Sequence, residues 1–274
     1  MKKNIKGLTF SVCLILFCYP LLTAFVPPVG DSTDTTGFRV RTIVIDAGHG
    51  GKDPGAHGIY SNEKDVALSI AKKLRTALND RMPYIHVIMT RADNTFIPLN
   101  QRSQIANDHH ANLFISIHCN SSPEGTAQIA HKLKGVKVLV YAIHRKGEQM
   151  EAVRENSSIY QEKNYKQTYE SYDESDPSNL IVLNAYMQKY RKQSIRFGDL
   201  LMEQFKSTGD RVTLGVKEQS VLVLAHSGMP AVLIETGFIN NASEEDYLNS
   251  ATGQAEIVDS IVNAIKQYRS EVDR

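Results

Sequence analysis

The sequence predicts an α/β fold in a single domain that carries an insertion. Short apolar runs rich in β-branched residues alternate along the chain with longer stretches of helical apolar spacing. Several of the runs end in glycine-rich or polar sequence, as strands do at the ligand-binding edge of open α/β sheets. A polar, weakly periodic stretch from about residue 145 to residue 194 interrupts this alternation. A stretch of that length inside a compact domain indicates an insertion that is either functional or merely solvated.

Length and charge set the outer bounds of the prediction. The chain has 274 residues and a formal net charge of +1 at pH 7. This length favours one domain, and the near-neutral charge gives no reason to expect a nucleic acid as partner.

The first 26 residues resemble a signal peptide. Three lysines, Lys2, Lys3 and Lys6, precede an apolar run that extends to Val26. Ala24 suits the position before a cleavage site, and Pro20 disfavours a stable membrane helix. We therefore expect residues 1–26 to be a signal peptide that exports the protein to the periplasm, with no stable membrane span after cleavage. The alternative is an uncleaved N-terminal membrane anchor.

Residues 27–39 are rich in Pro, Gly, Ser, Thr and Asp, which predicts a linker. Cys13 and Cys18 lie in the predicted signal peptide, so only Cys119 would remain in the mature chain. An exported chain with one cysteine has no internal disulfide, and its core or a metal must stabilise it.

Two predicted strands end near a histidine. The run Ile43–Ile45 stops at Asp46 and leads into a glycine-rich loop that contains His49. The run from Leu113 also ends on a histidine, His118. If these strands are neighbours in one sheet, both imidazoles lie at the same edge.

Further elements follow from the same patterns. Asn62 is placed to cap a helix whose first turn contains Glu63. Strands are predicted at 84–90, 136–144, 221–224 and 231–236, and helices at 99–110, 148–159, 180–205 and 255–268. The last strand carries Glu235 near its end, and a carboxylate there is costly to bury without a partner. Glu235 therefore belongs to a site more readily than to a core.

The candidates for chemistry are His49, Glu63, His118 and Glu235. Two imidazoles and one carboxylate suit a zinc ion with an open position for water, and a second carboxylate can then transfer the proton. This set predicts metal-assisted amide hydrolysis, although spacing does not tell which glutamate has which role. His57, in the first loop, is the substitute ligand, and the remaining histidines are expected at surfaces or in loops. Neither a His-Glu-x-x-His helix nor a Gly-x-Ser-x-Gly elbow is present.

Five motifs, in order, resemble the zinc-dependent N-acetylmuramoyl-L-alanine amidases of the amidase-3 type, which act in bacterial cell separation. They are the segments Ile45–Gly51, Asn62–Asp65, Thr90–Arg91, Phe114–Asn120 and Val232–Asn241. The resemblance covers about residues 40 to 270, the predicted catalytic domain. Ala47 and Cys119 depart from the usual proline and alanine of the family; neither is a ligand position, although Cys119 beside the site could be oxidised.

This resemblance implies a mixed, mainly parallel sheet flanked by helices. It implies that His49, Glu63 and His118 hold Zn²⁺ and that Glu235 is the catalytic carboxylate. The substrate would be peptidoglycan, cut between N-acetylmuramic acid and L-alanine, and we expect Asn120 to contact it.

Periplasmic members carry a helical insertion that covers the site until an activator displaces it, and residues 145–194 occupy the matching place. We therefore hypothesise an autoinhibitory or gating segment in which Glu148, Glu151, Glu155 or Glu174 approaches the metal. The partners would be peptidoglycan and a protein activator, and we expect a monomer. Two other functions stay open: a zinc peptidase or carboxypeptidase on another wall peptide bond, and a non-catalytic peptidoglycan-binding protein.

Overall fold

The computed structural model describes residues 39–122, 132–143, 149–173 and 175–273. The predicted signal peptide and nearly all of the predicted linker lie outside these residues, as do His131, His144, Glu148 and Glu174. Within the described part, no helix combines the length and apolarity needed to span a membrane.

Six strands form one sheet at the centre of the domain. They are β1 (Thr42–Ala47), β2 (His86–Met89), β3 (Leu113–Asn120), β4 (Val136–Tyr141), β5 (Thr213–Gln219) and β6 (Ala231–Phe238). Their order across the sheet is β2-β1-β3-β6-β4-β5. All neighbouring pairs are parallel except β4 and β6, which are antiparallel. The expected mixed, mainly parallel sheet is confirmed.

Eight α-helices in the described residues surround this sheet. They are α1 (Glu63–Arg81), α2 (Leu99–Asp108), α3 (Met150–Asn156), α4 (Tyr165–Thr168), α5 (Pro177–Gly209), α6 (Leu222–Ala225), α7 (Ala242–Asn249) and α8 (Ala251–Val272). One apolar core contains residues of α1, α7, α8 and the C-terminal half of α5. A second contains residues of α2, α3, α6 and Leu183 of α5. Helices therefore cover both faces, and burial on both sides explains why the central strands are almost continuously apolar.

Strand register determines which residues meet at the carboxyl edge. Ala47, the last residue of β1, lies opposite Ile117 of β3, so the His49 loop emerges beside His118. His118 in turn lies opposite Glu235 of β6. The register thus brings residues that are far apart in the sequence to one point of the sheet.

The predicted strand at 221–224 is wrong. The strand of this region is β5, which ends at Gln219 and pairs with β4, whereas Leu222–Ala225 forms the single helical turn α6. Asn156 of the insertion accepts a hydrogen bond from the Leu222 amide and donates one to the Ser220 carbonyl. A short apolar run does not distinguish a strand from a buried helical turn, and here the contact with the insertion selects the turn.

The insertion is ordered and largely helical within its described residues. After α3 come a 3₁₀ turn (Ser157–Gln161), α4 and a second 3₁₀ turn (Glu170–Tyr172). Tyr169 and Tyr172 are buried and supply the apolar contacts that the sequence pattern did not reveal. Helix α5 then begins at Pro177, three residues before the predicted start, because Asp176 caps it through the amides of Ser178 and Asn179.

Candidate metal centre

His49 is held in a strained loop directly after β1. Its φ of 57° is unusual for a residue with a side chain, and Gly50 (φ 126°) and Gly51 (φ 57°) follow it. Gly48 must lack a side chain, because a Cβ there would lie 2.4 Å from the His118 ring. The two imidazoles therefore approach closely, with ring centroids 4.9 Å apart.

Two buried arginines donate hydrogen bonds to the backbone of this loop. Arg102 donates to the Asp46 carboxylate at 2.9 Å, to the Ala47 carbonyl at 2.8 Å and to the His49 carbonyl at 2.7 Å. Arg91 donates to the carbonyls of Ala47 and Gly48 at 2.9 and 2.7 Å. These bonds satisfy loop carbonyls that would otherwise be buried without partners, and so they offset the cost of the strained conformation.

Asp46 anchors the supporting network. Its carboxylate accepts hydrogen bonds from Thr90 and Ser116, both at 2.6 Å, besides the pair with Arg102. Burial acts to raise the pKa of Asp46, but Arg102 and the two hydroxyls outweigh it, so the pKa lies below its ordinary value. From the sequence, Asp46 is assigned no role beyond the end of β1. An acidic residue at the end of an apolar strand, the criterion applied to Glu235, was the signal for it.

Glu63 enters the site from the first residue of α1. It is completely buried, and its two oxygens accept the amides of Ala56 and Cys119, each at 2.8 Å. Asn62 stands at the N-cap position, but its side chain pairs with His57 and makes no capping hydrogen bond. The predicted side-chain cap is therefore wrong, and the first turn is tied instead to the loop before it, where the Glu63 amide donates to the Ala56 carbonyl at 3.0 Å.

Four ligand-type residues converge at this point: His49, Glu63, His118 and Glu155, all buried, with ligand atoms within 4.8 Å of one another. His49 Nε2 lies 3.2 Å from Glu63 and 3.3 Å from Glu155. His118 Nδ1 lies 3.0 Å from Glu63 and 2.7 Å from Glu155. Bonds of 2.0–2.1 Å from zinc to nitrogen and oxygen in a tetrahedron separate the ligand atoms by about 3.3 Å.

Two atoms of this group that lack hydrogen-bond partners are also suited to bind a cation. His49 Nε2 and Glu155 Oε2 are buried, and neither has a well-aligned hydrogen bond to any residue the structure describes. The other ring nitrogen of His49, Nδ1, lies 2.9 Å from Asp53 Oδ2. A carboxylate that orients a histidine in this way is the usual support of a metal-binding imidazole. The group could therefore hold a metal ion.

Without an ion, the charges of the group would be balanced by protons. Burial opposes protonation of His118, but Glu155 and Glu63 outweigh it and raise the pKa of His118 to about 9. The same carboxylates, with Asp53, raise the pKa of His49. Protons and a metal cation thus compete for the same nitrogens, and metal affinity must fall on acidification.

Glu235 lies beside the four-residue group, completely buried. Burial raises the pKa of Glu235 to about 8, against the opposing effect of the Arg154 guanidinium. Arg154 Nη2 lies 2.7 Å from Glu235 Oε1 and 2.6 Å from Glu155 Oε1, while Glu235 Oε2 has no hydrogen-bond partner among the described residues. The insertion therefore contacts both the ligand group and the second carboxylate, through adjacent residues of α3.

Asn120 is buried next to this contact. Its Oδ1 accepts from Arg154 at 2.9 Å and from the Ser121 amide at 2.8 Å. The sequence gives no prediction for Arg154. Its position directly before Glu155, one of the four proposed insertion carboxylates, was the only signal for it.

The structure separates the other candidates from the site. His57 is exposed and pairs with Asn62, so it is not a ligand in this arrangement.

Cys119 is fully buried, and burial raises the pKa of its thiol well above the ordinary value. The oxidation expected there is disfavoured, because the thiolate is the reactive form. Glu151 pairs with Lys137 and Gln219, away from the group.

The fold and this site are those of an α/β enzyme. Four residues that could bind a metal ion lie at the carboxyl edge of its sheet, and a further buried glutamate lies beside them. The chain belongs to the N-acetylmuramoyl-L-alanine amidase family, Amidase_3, whose model matches residues 43–267. It is thus a hydrolase of peptidoglycan amide bonds, as the motifs indicated.

Named relatives agree with this assignment. A putative N-acetylmuramoyl-L-alanine amidase of Buchnera aphidicola subsp. Baizongia pistaciae is 34% identical over 82% of this chain and 95% of its own length. The amidase AmiC of Escherichia coli O6:H1 is 30% identical to this chain, and the match covers 84% of this chain. It covers only about half (53%) of AmiC.

A solved structure has the same architecture. The N-acetylmuramoyl-L-alanine amidase of Clostridium difficile 630 superposes with a TM-score of 0.61 at 26% identity, covering 84% of this chain and 97% of that one.

Proposed function

We propose that this amidase is zinc-dependent and cleaves the bond between the lactyl group of N-acetylmuramic acid and L-alanine during daughter-cell separation. The convergence of His49, Glu63 and His118 at one edge of the sheet, with Glu235 alongside, is the observation that carries the proposal. In it, these three residues hold the ion and Glu235 is the catalytic residue.

Zinc bound by this set would lower the pKa of a water molecule and polarise the carbonyl oxygen of the scissile amide. The chain's own contribution is orientation. Asp53 fixes the His49 ring, and the amides of Ala56 and Cys119 fix the Glu63 carboxylate. Buried hydrogen bonds of this kind keep the ligands in place without rearrangement during the reaction.

Glu235 is suited to move the proton. Its carboxylate is completely buried, and burial raises its pKa, so it holds a proton more readily than an exposed glutamate does. Oε2, which has no hydrogen-bond partner among the described residues, would accept the proton of the attacking water. The same oxygen would then deliver it to the departing amine of L-alanine, so that the products are a lactyl carboxylate on the glycan and a stem peptide with a free amine.

The described conformation supports an autoinhibited state. Glu155 Oε2 stands 2.7 Å from His118 Nδ1 and so takes the position that a substrate or water would need. Arg154 occupies Glu235 Oε1 and Asn120 Oδ1 at the same time. Withdrawal of α3 would free the ligand position, the catalytic carboxylate and the Asn120 amide together, and the amide would then be available to contact substrate.

Export and partners complete the proposal. Residues 1–26 would direct the chain to the periplasm and 27–39 would act as a linker before the catalytic domain, 40–270. A protein activator would displace the inserted segment, with the chain itself monomeric.

The test is product analysis by mass spectrometry on purified peptidoglycan, with zinc-loaded protein. Stem peptides with a free L-alanine amine and glycan strands without peptide would support the amidase. Shortened stems still attached to glycan would instead identify a peptidase, and no product from a zinc-loaded variant with α3 released would favour a binding protein.

A further inference from the structure

The loop between the first two ligands presents an exposed apolar tip. Ile59 and Tyr60 are 68% and 62% exposed and are neighbours in the sequence, so they form one apolar surface. His57 and Asn62 form an antiparallel bridge below the tip, and the Gly58 amide donates to the Ser61 carbonyl at 2.9 Å. The tip is thus a closed four-residue turn that ends at the ligand Glu63.

A single buried carboxylate fixes the backbone of this tip. Glu245, at the start of α7, accepts the amides of Ile59, Tyr60 and Ser61 at 2.7, 2.9 and 2.8 Å. It also accepts the Ser61 hydroxyl at 2.7 Å and is itself completely buried. Burying the Glu245 charge is unfavourable, and the four charge-assisted hydrogen bonds to this turn offset that cost. They also fix the backbone that carries the two exposed side chains.

The Tyr60 ring is anchored as well. Its hydroxyl donates to Asp246 at 2.9 Å, so the ring is held at its outer end while most of its surface faces solvent. A ring whose position is fixed in advance loses little entropy when it binds a ligand. The exposure and the anchoring together favour a contact surface over a folding role.

The tip lies at the same edge of the sheet as the four ligand-type residues, His49, Glu63, His118 and Glu155. Glu245 follows the carboxyl end of β6, which carries Glu235. Tyr60 lies three positions before Glu63, and a chain spans at most ~3.6 Å per residue, so their Cα atoms lie within about 11 Å. A polymeric substrate bound at the four-residue group is longer than this distance and can therefore also contact Tyr60.

We infer that Ile59 and Tyr60 form a contact for the glycan strand of the substrate, with the Tyr60 ring packed against the apolar face of a sugar. This inference rests on the proposed function for the identity of the polymer. The tip residues, Gly58 to Ser61, carry no side-chain charge. A sugar ring presents an uncharged apolar face even where its lactyl group is a free carboxylate, and an uncharged aromatic tip suits such a face, whereas a stem peptide ends in a carboxylate that a basic partner would recognise.

The test measures binding of peptide-free glycan strands to the full, zinc-loaded chain. These strands have no amide between a lactyl group and L-alanine left to cut, and the tip is exposed in the conformation with α3 in place, so binding needs neither turnover nor opening. Tyr60→Ala should weaken binding about threefold to tenfold. Tyr60→Phe keeps the ring but loses the hydrogen bond to Asp246, and it should weaken binding less. Tyr84→Ala is the matched control, because Tyr84 is 56% exposed but precedes β2 at the opposite edge.

Three results would overturn the inference: glycan strands that do not bind the wild-type chain, equal binding by Tyr60→Ala and wild type, or a loss confined to isolated stem peptides. Thermal melting of Tyr60→Ala confirms that the variant folds, and Ile59→Ser provides a second probe of the same tip. The separate product analysis keeps the two claims apart. Glycan binding through Tyr60 without any amide cleavage would contradict the proposed function and leave this contact standing.

Discussion

At Glu235, the two carboxylate oxygens have different surroundings. Oε1 is held by Arg154, whereas Oε2 has no hydrogen-bond partner among the described residues. The position of this glutamate could be predicted from the sequence, because a carboxylate at the end of an apolar strand needs a reason to be there. Its relation to Glu63 could not be predicted, because only the assembled fold places Glu63 in the four-residue group and Glu235 beside it, opposite His118.

Glu235→Gln should keep zinc and lose activity by about 10²–10⁴-fold, since the amide has nearly the same shape but cannot take up a proton. Turnover is best measured alongside metal content, in a background with Glu155→Gln so that the insertion does not limit the rate. His49→Ala is the counterpart that should lose the metal. A zinc-loaded Glu235→Gln enzyme with near-normal turnover would contradict the role given to Glu235.

Asp46→Asn should destabilise the fold by about 3–5 kcal/mol, because it leaves the buried Arg102 charge without its partner. The pKa of Asp46 lies below 3.8 in the folded chain, so its contribution is present above pH 3.8 and is lost as the pH falls through the folded value. Urea unfolding of the metal-free protein at pH 7 and pH 3 measures this. The deficit of the variant should be smaller at pH 3, and an equal deficit at both values would argue against the ion pair.

Asp46, Arg91 and Arg102 also mark the limit of residue-by-residue prediction. Arg91 and Arg102 lie after β2 and in α2, and nothing in their spacing tells that both donate to carbonyls of the His49 loop. Such partners are set by the packing of distant segments. The candidate ligands could be predicted because glycine-rich turns and strand ends give local signals. Asp46 shares the strand-end signal, whereas the two arginines have none.

Among the elements, α3 connects the insertion to the site. Arg154 and Glu155 are adjacent, yet they reach Glu235 and the two histidines, respectively. The sequence predicted a helix at 148–159, and the described helix covers Met150–Asn156 with a 3₁₀ turn after it. The choice of Glu155 among four carboxylates required the helix phase, which turns Glu151 toward Lys137 instead.

Glu155→Gln and Arg154→Ala should each raise the initial rate of stem-peptide release in the absence of any activator. Each removes one of the charge contacts that hold α3 over the site. We expect a gain of about tenfold or more for each, since a buried charged contact contributes on the order of 2 kcal/mol. Release of stem peptides is followed by chromatography with equal amounts of zinc-loaded protein.

Val153→Ala provides the control for these variants, because Val153 lies on the same helix but is 69% exposed. Its rate should equal that of the wild-type chain. If Glu155→Gln and Val153→Ala have the same rate, α3 does not restrain the enzyme.

For the whole molecule, the proposed ion would join four elements that are remote in the chain: the loop after β1, α1, β3 and α3. The α/β class and the order of most elements follow from periodicity, whereas the antiparallel pairing of β4 with β6 and the turn α6 depend on long-range contacts. The site is a property of this assembled whole, since no two of the four ligand-type residues are closer than fourteen positions in the sequence.

Chelation of the metal should therefore lower the melting temperature of the wild-type chain. An ion at 100 to 1,000 times its Kd stabilises the folded state by about 2.7–4.1 kcal/mol. The shift should be smaller in Glu155→Gln, which has one fewer charged ligand, and absent in His49→Ala. Differential scanning calorimetry with and without EDTA measures it, and an equal shift in His49→Ala would mean that the ion binds elsewhere.

The location of the metal tests the account most directly. Crystals of the zinc-loaded protein, measured at the zinc absorption edge, give an anomalous difference map that identifies the ion without reference to activity. We expect one strong peak among His49 Nε2, Glu63, His118 Nδ1 and Glu155, with Glu235 outside the coordination sphere. A peak at any other place, or no peak at this one in a fully loaded protein, would contradict it.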